Sequence, residues 1–243
     1  MKSQALFLLL LVVLWIPQTL TAGDLEYEAS GSVLSHYMWR GMHLSENGVL
    51  QPSLTVGSKG FSANLWANYQ FDPNRWTEVD FTGAYSGENG NINYEIGFIH
   101  YGVLEGLDSD EIYGSVGHSD ALNPSFKAFF DVNAGKGAYL QAGLEPTIPL
   151  GKDISLNIRA FAGYVLKNSY MGLNDEGREF SNFYNADFQT SLTIPLGKRF
   201  SLEPLLGYSS SLSRNARQAI ISTSVSPHGD TLYGGATLTF SLE

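Results

Sequence analysis

The 243-residue chain contains no cysteine. That absence excludes disulfide frameworks, thiolate nucleophiles, cysteine-ligated zinc and iron–sulfur clusters. Charge is also scarce: Asp, Glu, Lys and Arg make up 16% of the residues, against about 25% in an average soluble protein. Basic residues are the scarcer sign, 14 against 24 acidic, for a formal charge of −10. A chain so balanced offers no basic face for phosphates, which argues against nucleic acid as a partner. There is no His-Glu-x-x-His, no P-loop and no dinucleotide fingerprint opening a helix, so no resident metal, nucleotide or other cofactor is expected. Long apolar runs are absent beyond the amino terminus, and with them transmembrane helices.

The one apolar run, Ala5 to Ile16, holds 12 residues, short of the roughly 20 that cross a bilayer as a helix. It follows Met1 and Lys2, ends at Pro17 and precedes Leu20-Thr21-Ala22. This is the layout of a secretory signal peptide cleaved before Gly23. The expected organisation is a signal peptide over 1–22 and one folded unit over 23–243.

What is plentiful is glycine, 26 residues, and aromatic side chains, 13% of the chain. Apolar residues recur at every second position, the period of a strand with two unlike faces. Ile154, Leu156, Ile158, Ala160, Ala162, Tyr164 and Leu166 alternate with Ser155, Asn157 and Arg159. Phe61, Ala63, Leu65, Ala67, Tyr69 and Phe71 alternate with polar residues, broken only by Trp66. Twelve such segments lie near 25–40, 48–57, 60–71, 75–86, 91–102, 110–118, 125–134, 138–148, 153–167, 178–195, 199–212 and 230–242. Many reach ten residues, about twice the mean soluble strand and enough to cross a bilayer at a tilt.

Connections alternate in length. Gly57–Gly60, Gly87–Gly90, Leu150–Lys152 and Leu196–Lys198 are tight turns, whereas Met42–Asn47, Val103–Ser109, Asn168–Gly177 and Ser213–Gly229 are longer loops. The decapeptide from Thr147 to Leu156 recurs from Thr193 to Leu202 with Arg199 and Phe200 in place of Asp153 and Ile154. Its copies are two strands apart and so belong to the same side of a sheet. Short turns on one side, long loops on the other and an even strand count predict an all-β fold: a transmembrane, antiparallel, up-and-down β-barrel of about twelve strands, with both termini on the short-turn side. The more apolar face of the segments reads as the lipid side. Tyr37, Trp39, Tyr69, Phe71, Phe180 and Tyr184 are expected as its loop-side aromatic girdle, and Tyr27, Tyr85, Phe126 and Phe240 as its turn-side one. Tyr233, Gly235, Leu238 and Phe240 look like a carboxy-terminal outer-membrane signal.

Twelve tilted strands give a backbone diameter of about 24 Å and a free lumen of about 10 Å at most. The inward register places Glu78, Asp80, Glu95, Glu111, Asp131, Glu145, Glu179, Asp187 and Glu203 there, against Arg40, Lys127, Arg159 and Lys167, with His36 below Arg40 on the same face. An acidic lumen favours cations.

The stretch from Gly31 to Gly41, with Gln51-Pro52 and Gly60 to Asn68, resembles the TorF family of Gram-negative porins, through Tyr37, Arg40, Gly41 and Pro52. The resemblance covers about the first fifth of the chain; Ser32 stands where that family usually has Asn. It implies an outer-membrane barrel with a pore role and supplies no catalytic residues.

Together these observations predict a non-enzymatic, porin-like channel of the cell outer membrane for small solutes or ions, mildly selective for cations. Its expected partners are outer-membrane lipids and lipopolysaccharide, with periplasmic chaperones and the barrel-assembly machinery during biogenesis. Two other readings remain open. One is a non-conducting structural or adhesion barrel whose lumen charges pair. The other is a lipid-modifying enzyme, for which His118-Ser119-Asp120 and His228-Gly229-Asp230 are poor candidates, since neither sets a nucleophile beside a base at the lipid rim.

Overall fold

The computed structural model describes residues 25–174 and 176–242; the expected signal segment, 1–22, lies outside them. Twelve antiparallel strands follow one another around a closed sheet: β1 (Glu26–Leu34), β2 (Val49–Ser58), β3 (Phe61–Gln70), β4 (Arg75–Asn89), β5 (Ile92–Val103), β6 (Ser109–His118), β7 (Pro124–Asp131), β8 (Ala138–Leu144, resumed as Thr147–Gly151), β9 (Ile154–Leu166), β10 (Ser181–Pro195), β11 (Phe200–Ser211) and β12 (Asp230–Leu242). β1 pairs with β12 from Tyr27↔Leu242 to Leu34↔Gly235, which closes the cylinder and puts the described chain ends on the short-turn side. The tight turns use the expected chemistry. Lys59 and Gly60 both have positive φ, 53° and 85°, the conformation that continues the twist of a two-residue hairpin.

Parity sorts the side chains. Outward positions are apolar and bare, among them Ile96 (58% exposed), Phe188 (50%) and Leu232 (62%), and they recur around the barrel. Inward positions are mostly polar or aromatic and largely covered. The protein is inside-out relative to a water-soluble barrel. Among the described residues, two carboxylates depart from an uncharged outer face, both at loop-side strand ends. Asp110 of β6 is held by the His100 ring at 2.8 Å and the Asn133 amide at 3.0 Å; Asp230 of β12, on the parity of Leu232, takes the Ser210 hydroxyl at 2.9 Å and Arg217 at 3.2 Å.

Several sequence expectations are corrected. The segment read as one strand over 25–40 ends at Leu34, and residues 35–48 turn into the lumen. Tyr37 is therefore buried inside, 7% exposed, rather than girdling the outside, and Trp39 packs against the interior core. Phe180 and Tyr184 are interior as well, 2% and 0% exposed. The cause is a bulge. The register runs Ala162↔Ala186 and then Tyr164↔Phe183, so Tyr184 and Asn185 both oppose Gly163 and the inward parity of β10 inverts above them. Phe183 takes the outer position instead, 57% exposed. Tyr233 also faces inward, over Gly207. The loop Ser213–Gly229 contains a helix, α1 (Arg214–Thr223), capped by the Ser213 side chain, which accepts from the Ala216 N–H, and burying Ala216, Ala219 and Ile220. β8 is interrupted at Glu145-Pro146, where β7 has already ended; its second piece pairs only with β9.

Gly207 carries the ring of Tyr233 across the strand: a Cβ there would lie 2.3 Å from Tyr233 Cζ. Gly207→Ala is expected to cost about 1–3 kcal/mol through overpacking. The cost should fall below about 1 kcal/mol when Tyr233 is already Ser, read from urea unfolding of the refolded barrel.

Candidate functional site: the lumen

The lumen is shaped by the segment between β1 and β2. Ser35 N–H bonds Gly234 O at 2.8 Å, and the chain then folds inward as a miniature hairpin, Met38–Trp39 against Met42–His43. Its turn residues, Arg40 and Gly41, have φ of 47° and 84°. Gly41 has no alternative here, because a Cβ would meet Asn185 Cβ of β10 at 2.7 Å. The Ser45 hydroxyl receives the Tyr37 N–H at 2.7 Å and donates to Asn47 O at 2.9 Å, bracing the base of the segment.

This turn carries Arg40 across the lumen to β6. Its guanidinium forms a two-bond fork with Glu111, at 2.7 and 2.8 Å. Tyr101 donates its hydroxyl to the same carboxylate at 2.8 Å. Three rings surround the cation, Trp39 at 4.6 Å, Phe129 at 4.2 Å and Tyr139 at 4.7 Å. Both charged side chains are nearly dry, 7% and 1% exposed. Such a pair holds the hairpin in one place, because either partner alone would be a buried, uncompensated charge.

Behind the hairpin, the loop side of the barrel is filled by an apolar core. Met42 of the hairpin, Met171 of a 3-10 turn (Ser169–Met171) and Ile220 of α1 pack with Tyr139, Val165 and Tyr184 from the wall. Two spaces remain. An outer cavity of about 400 Å³ lies between the hairpin and β3–β6, with Leu107 and Tyr170 from the outer loops at its rim. An inner, polar cavity of about 420 Å³ lies toward the short turns, lined by Glu88, Glu95, Lys127 and Glu145 with Ser86, Ser115 and Ser125. Along the strands, the level between them is that of Arg40, Tyr113 and Phe129.

The remaining anticipated residues divide by role. Glu95 accepts from the Tyr113 hydroxyl at 2.8 Å. Glu145 receives Arg159 Nε at 3.2 Å and the Ser125 hydroxyl at 3.2 Å. Glu78 and Asp80 are neighbours on the inner face of β4; Tyr37 points its phenol at Glu78, and Gly102 N–H donates to Asp80 at 3.2 Å. Asp187 receives the Asn185 amide. Lys127 and Glu203 make no ion pair among the described residues. His36 meets His43 edge-on, ring centres 4.4 Å apart. Asp131 binds Ser109 Oγ of β6 at 2.8 Å and, in its own turn, the Gly135 N–H at 2.9 Å, so it shapes the wall more than it faces open space. Glu179 is exposed in the loop before β10, bridged to Leu173, and is not on the wall. Lys167 likewise lies just past the end of β9 and is exposed.

Sequence reasoning missed the aromatic half of the lumen. Tyr101 and Tyr113 share the inward parity of Glu95 and Glu111 and could have been read from it. Trp66, the break in the β3 alternation, packs against Tyr37 at 5.5 Å. The sequence pattern puts Glu88 in a turn, but β4 continues through Asn89. In the turn between β6 and β7, the His118 ring bonds Asp120 at 3.1 Å while Ser119 Oγ receives the Asn93 amide at 3.3 Å, so the ring is not turned to Ser119. The Asp120 carboxyl lies below its usual range, chiefly because the Leu122 N–H donates to it.

No family profile and no curated protein matches the chain. Solved structures do. The KdgM porin, in complex with disordered oligogalacturonate, aligns over 90% of this chain and 99% of its own with a TM-score of 0.54 and 12% identity. The NanC porin aligns over 89% and 99% with a TM-score of 0.55 and 11% identity. The chain shares the fold of these porins. At such identities the likeness concerns architecture alone, and it does not single out the TorF family.

Arg40→Met is expected to destabilise the barrel by about 3–5 kcal/mol by stranding Glu111. Arg40→Met combined with Glu111→Leu should cost less than Arg40→Met alone, measured by the same urea titration.

Proposed function

We propose that the protein is an outer-membrane channel for passive diffusion of small solutes or ions, narrow and mildly cation-selective. One observation carries this reading: a closed cylinder, apolar around the middle belt of its outer face, encloses polar, carboxylate-rich space. An apolar belt of that extent needs cover, and hydrocarbon supplies it for a sheet without edges. The inner cavity sets Glu88, Glu95 and Glu145 against Lys127 and Arg159, which lowers the energy of cations there. The level of Arg40 is the constriction. Export through the segment 1–22, contact with lipopolysaccharide and handling by the barrel-assembly machinery belong to the same reading.

The polyanionic oligogalacturonate of the KdgM complex is a poor candidate here, because this lumen would repel it. The packed core formed by the hairpin and α1 favours a second reading, a barrel that is shut at rest and serves a structural or adhesive role.

Single-channel recording in planar bilayers decides between the two. The expected result is a small conductance with a potassium-to-chloride permeability ratio above one, which Glu95→Lys with Glu145→Lys brings below one. Absence of any conductance would favour the shut barrel. The lipid belt has its own test: Ile96→Arg, at mid-strand on the outer face, is expected to cost about 2–4 kcal/mol on folding into phosphatidylcholine vesicles.

A further inference from the structure

The outer cavity has features that neither a diffusion path nor a filled plug requires. It is walled by rings: Tyr37 and Trp39 from the hairpin, Tyr101 from β5 and Tyr170 at the rim. Trp39 and Tyr101 meet edge-to-face at 5.6 Å, which sets two aromatic planes at an angle around the space. Leu107 at the mouth is 73% exposed, and the Tyr170 hydroxyl bonds its carbonyl, so the cavity opens toward the loop side.

Three carboxylates line it, and they are not equivalent. Glu111 is neutralised by the two-bond fork from Arg40. Asp131 is saturated by Ser109 and the backbone N–H groups of its own turn. Glu78 takes the Tyr37 phenol as its hydrogen-bond partner among the described residues. Neither Glu78 nor the adjacent Asp80 has a basic side chain within ion-pair distance among the described residues, and Arg40, the nearby cation of the hairpin, is committed elsewhere. The half-buried Glu78 thus sits in an aromatic chamber whose charge is left open on the negative side. Ring faces attract cations and repel anions, so walls and carboxylate select the same kind of guest.

We propose that the outer cavity is a binding site for a small organic monocation with an apolar body, an aralkyl- or alkylammonium, its ammonium on Glu78 and its body against Trp39, Tyr101 and Tyr170. A volume of about 400 Å³ falls within the range of small-molecule sites. Charge complementarity picks this occupant over a neutral sugar, which could stack on the rings but would leave Glu78 without a counter-charge. The site stands whether or not the barrel conducts, since occupancy is read without current.

Isothermal titration calorimetry of the refolded full barrel in detergent micelles, with protein-free micelles as blank, tests it with three probes of one shape: phenethylamine, 2-phenylethanol and 3-phenylpropanoate. Phenethylamine should bind saturably at one site, the alcohol roughly tenfold or more weakly, as loss of a charged hydrogen bond implies, and the carboxylate not at all. Glu78→Gln should weaken phenethylamine by a similar factor while leaving the weak alcohol binding unchanged. If Glu78→Gln fails to fold, Tyr170→Ala, confined to the exposed rim, should weaken phenethylamine severalfold. No phenethylamine binding, equal binding of the alcohol or the carboxylate, or indifference to these substitutions overturns the proposal.

Discussion

Closure of the backbone ladder is the constraint on which the rest of this structure depends. A sheet that ends anywhere exposes a row of unpaired N–H and C=O groups, and each costs free energy wherever water is excluded. Here β1 meets β12 residue by residue from Tyr27↔Leu242 to Leu34↔Gly235, so the sheet has no free edge along its main belt. A stretch without a partner on one side, Thr147–Gly151, lies beyond the span of β7, is exposed, and carries Pro149, which offers no N–H to an incoming strand. Once the ladder closes, side-chain parity is imposed on every strand: one face must look out and the other into a confined space.

That confined space creates the second problem, because an interior this narrow must be wetted or filled. The chain does both, at different levels. Toward the short turns it leaves polar walls around Glu95, Lys127 and Glu145. Toward the loops it folds residues 35–48 and α1 inward and builds an ordinary apolar core around Met42, Tyr139 and Ile220. The Arg40–Glu111 pair stands at the junction. It is costly to desolvate, and its return is positional: a planar fork between two surfaces that share no backbone hydrogen bonds sets where the hairpin sits. Glycine serves the same end from the other direction. Gly41 lets the hairpin approach Asn185, and Gly163 leaves room for the bulge that brings Tyr184 and Asn185 together on the inner face.

The period-2 pattern made the wall legible. Along β9 the apolar residues Ile154 to Leu166 face out and Ser155, Asn157 and Arg159 face in, as alternation predicts, and most of the anticipated lumen carboxylates follow from the same rule. The pattern failed wherever a strand stopped or slipped. Tyr37 and Trp39 continue the alternation of β1 in sequence, yet the chain has already left the wall at Leu34. Phe180 lies beyond the end of β10 and Tyr184 above its bulge, where one extra residue exchanges the faces. Glu179 was lost for the related reason that its segment is a loop. Helix α1 carries a short i, i+3, i+4 apolar set in Ala216, Ala219 and Ile220, too brief to stand out against the strand pattern around it.

Alternation, turn glycines and the even segment count were enough by themselves to determine an all-β cylinder with unlike faces and the strands that make it, because those properties arise between residues a few positions apart. The contents of the cylinder were decided elsewhere. Whether Arg40 faces open water or Glu111, which carboxylates keep a partner, and where cavities remain all depend on groups far apart in the chain, such as Arg40 and Glu111 or Met42 and Ile220. Local periodicity carries no term for such contacts; they exist only once closure has brought opposite walls within reach of one side chain.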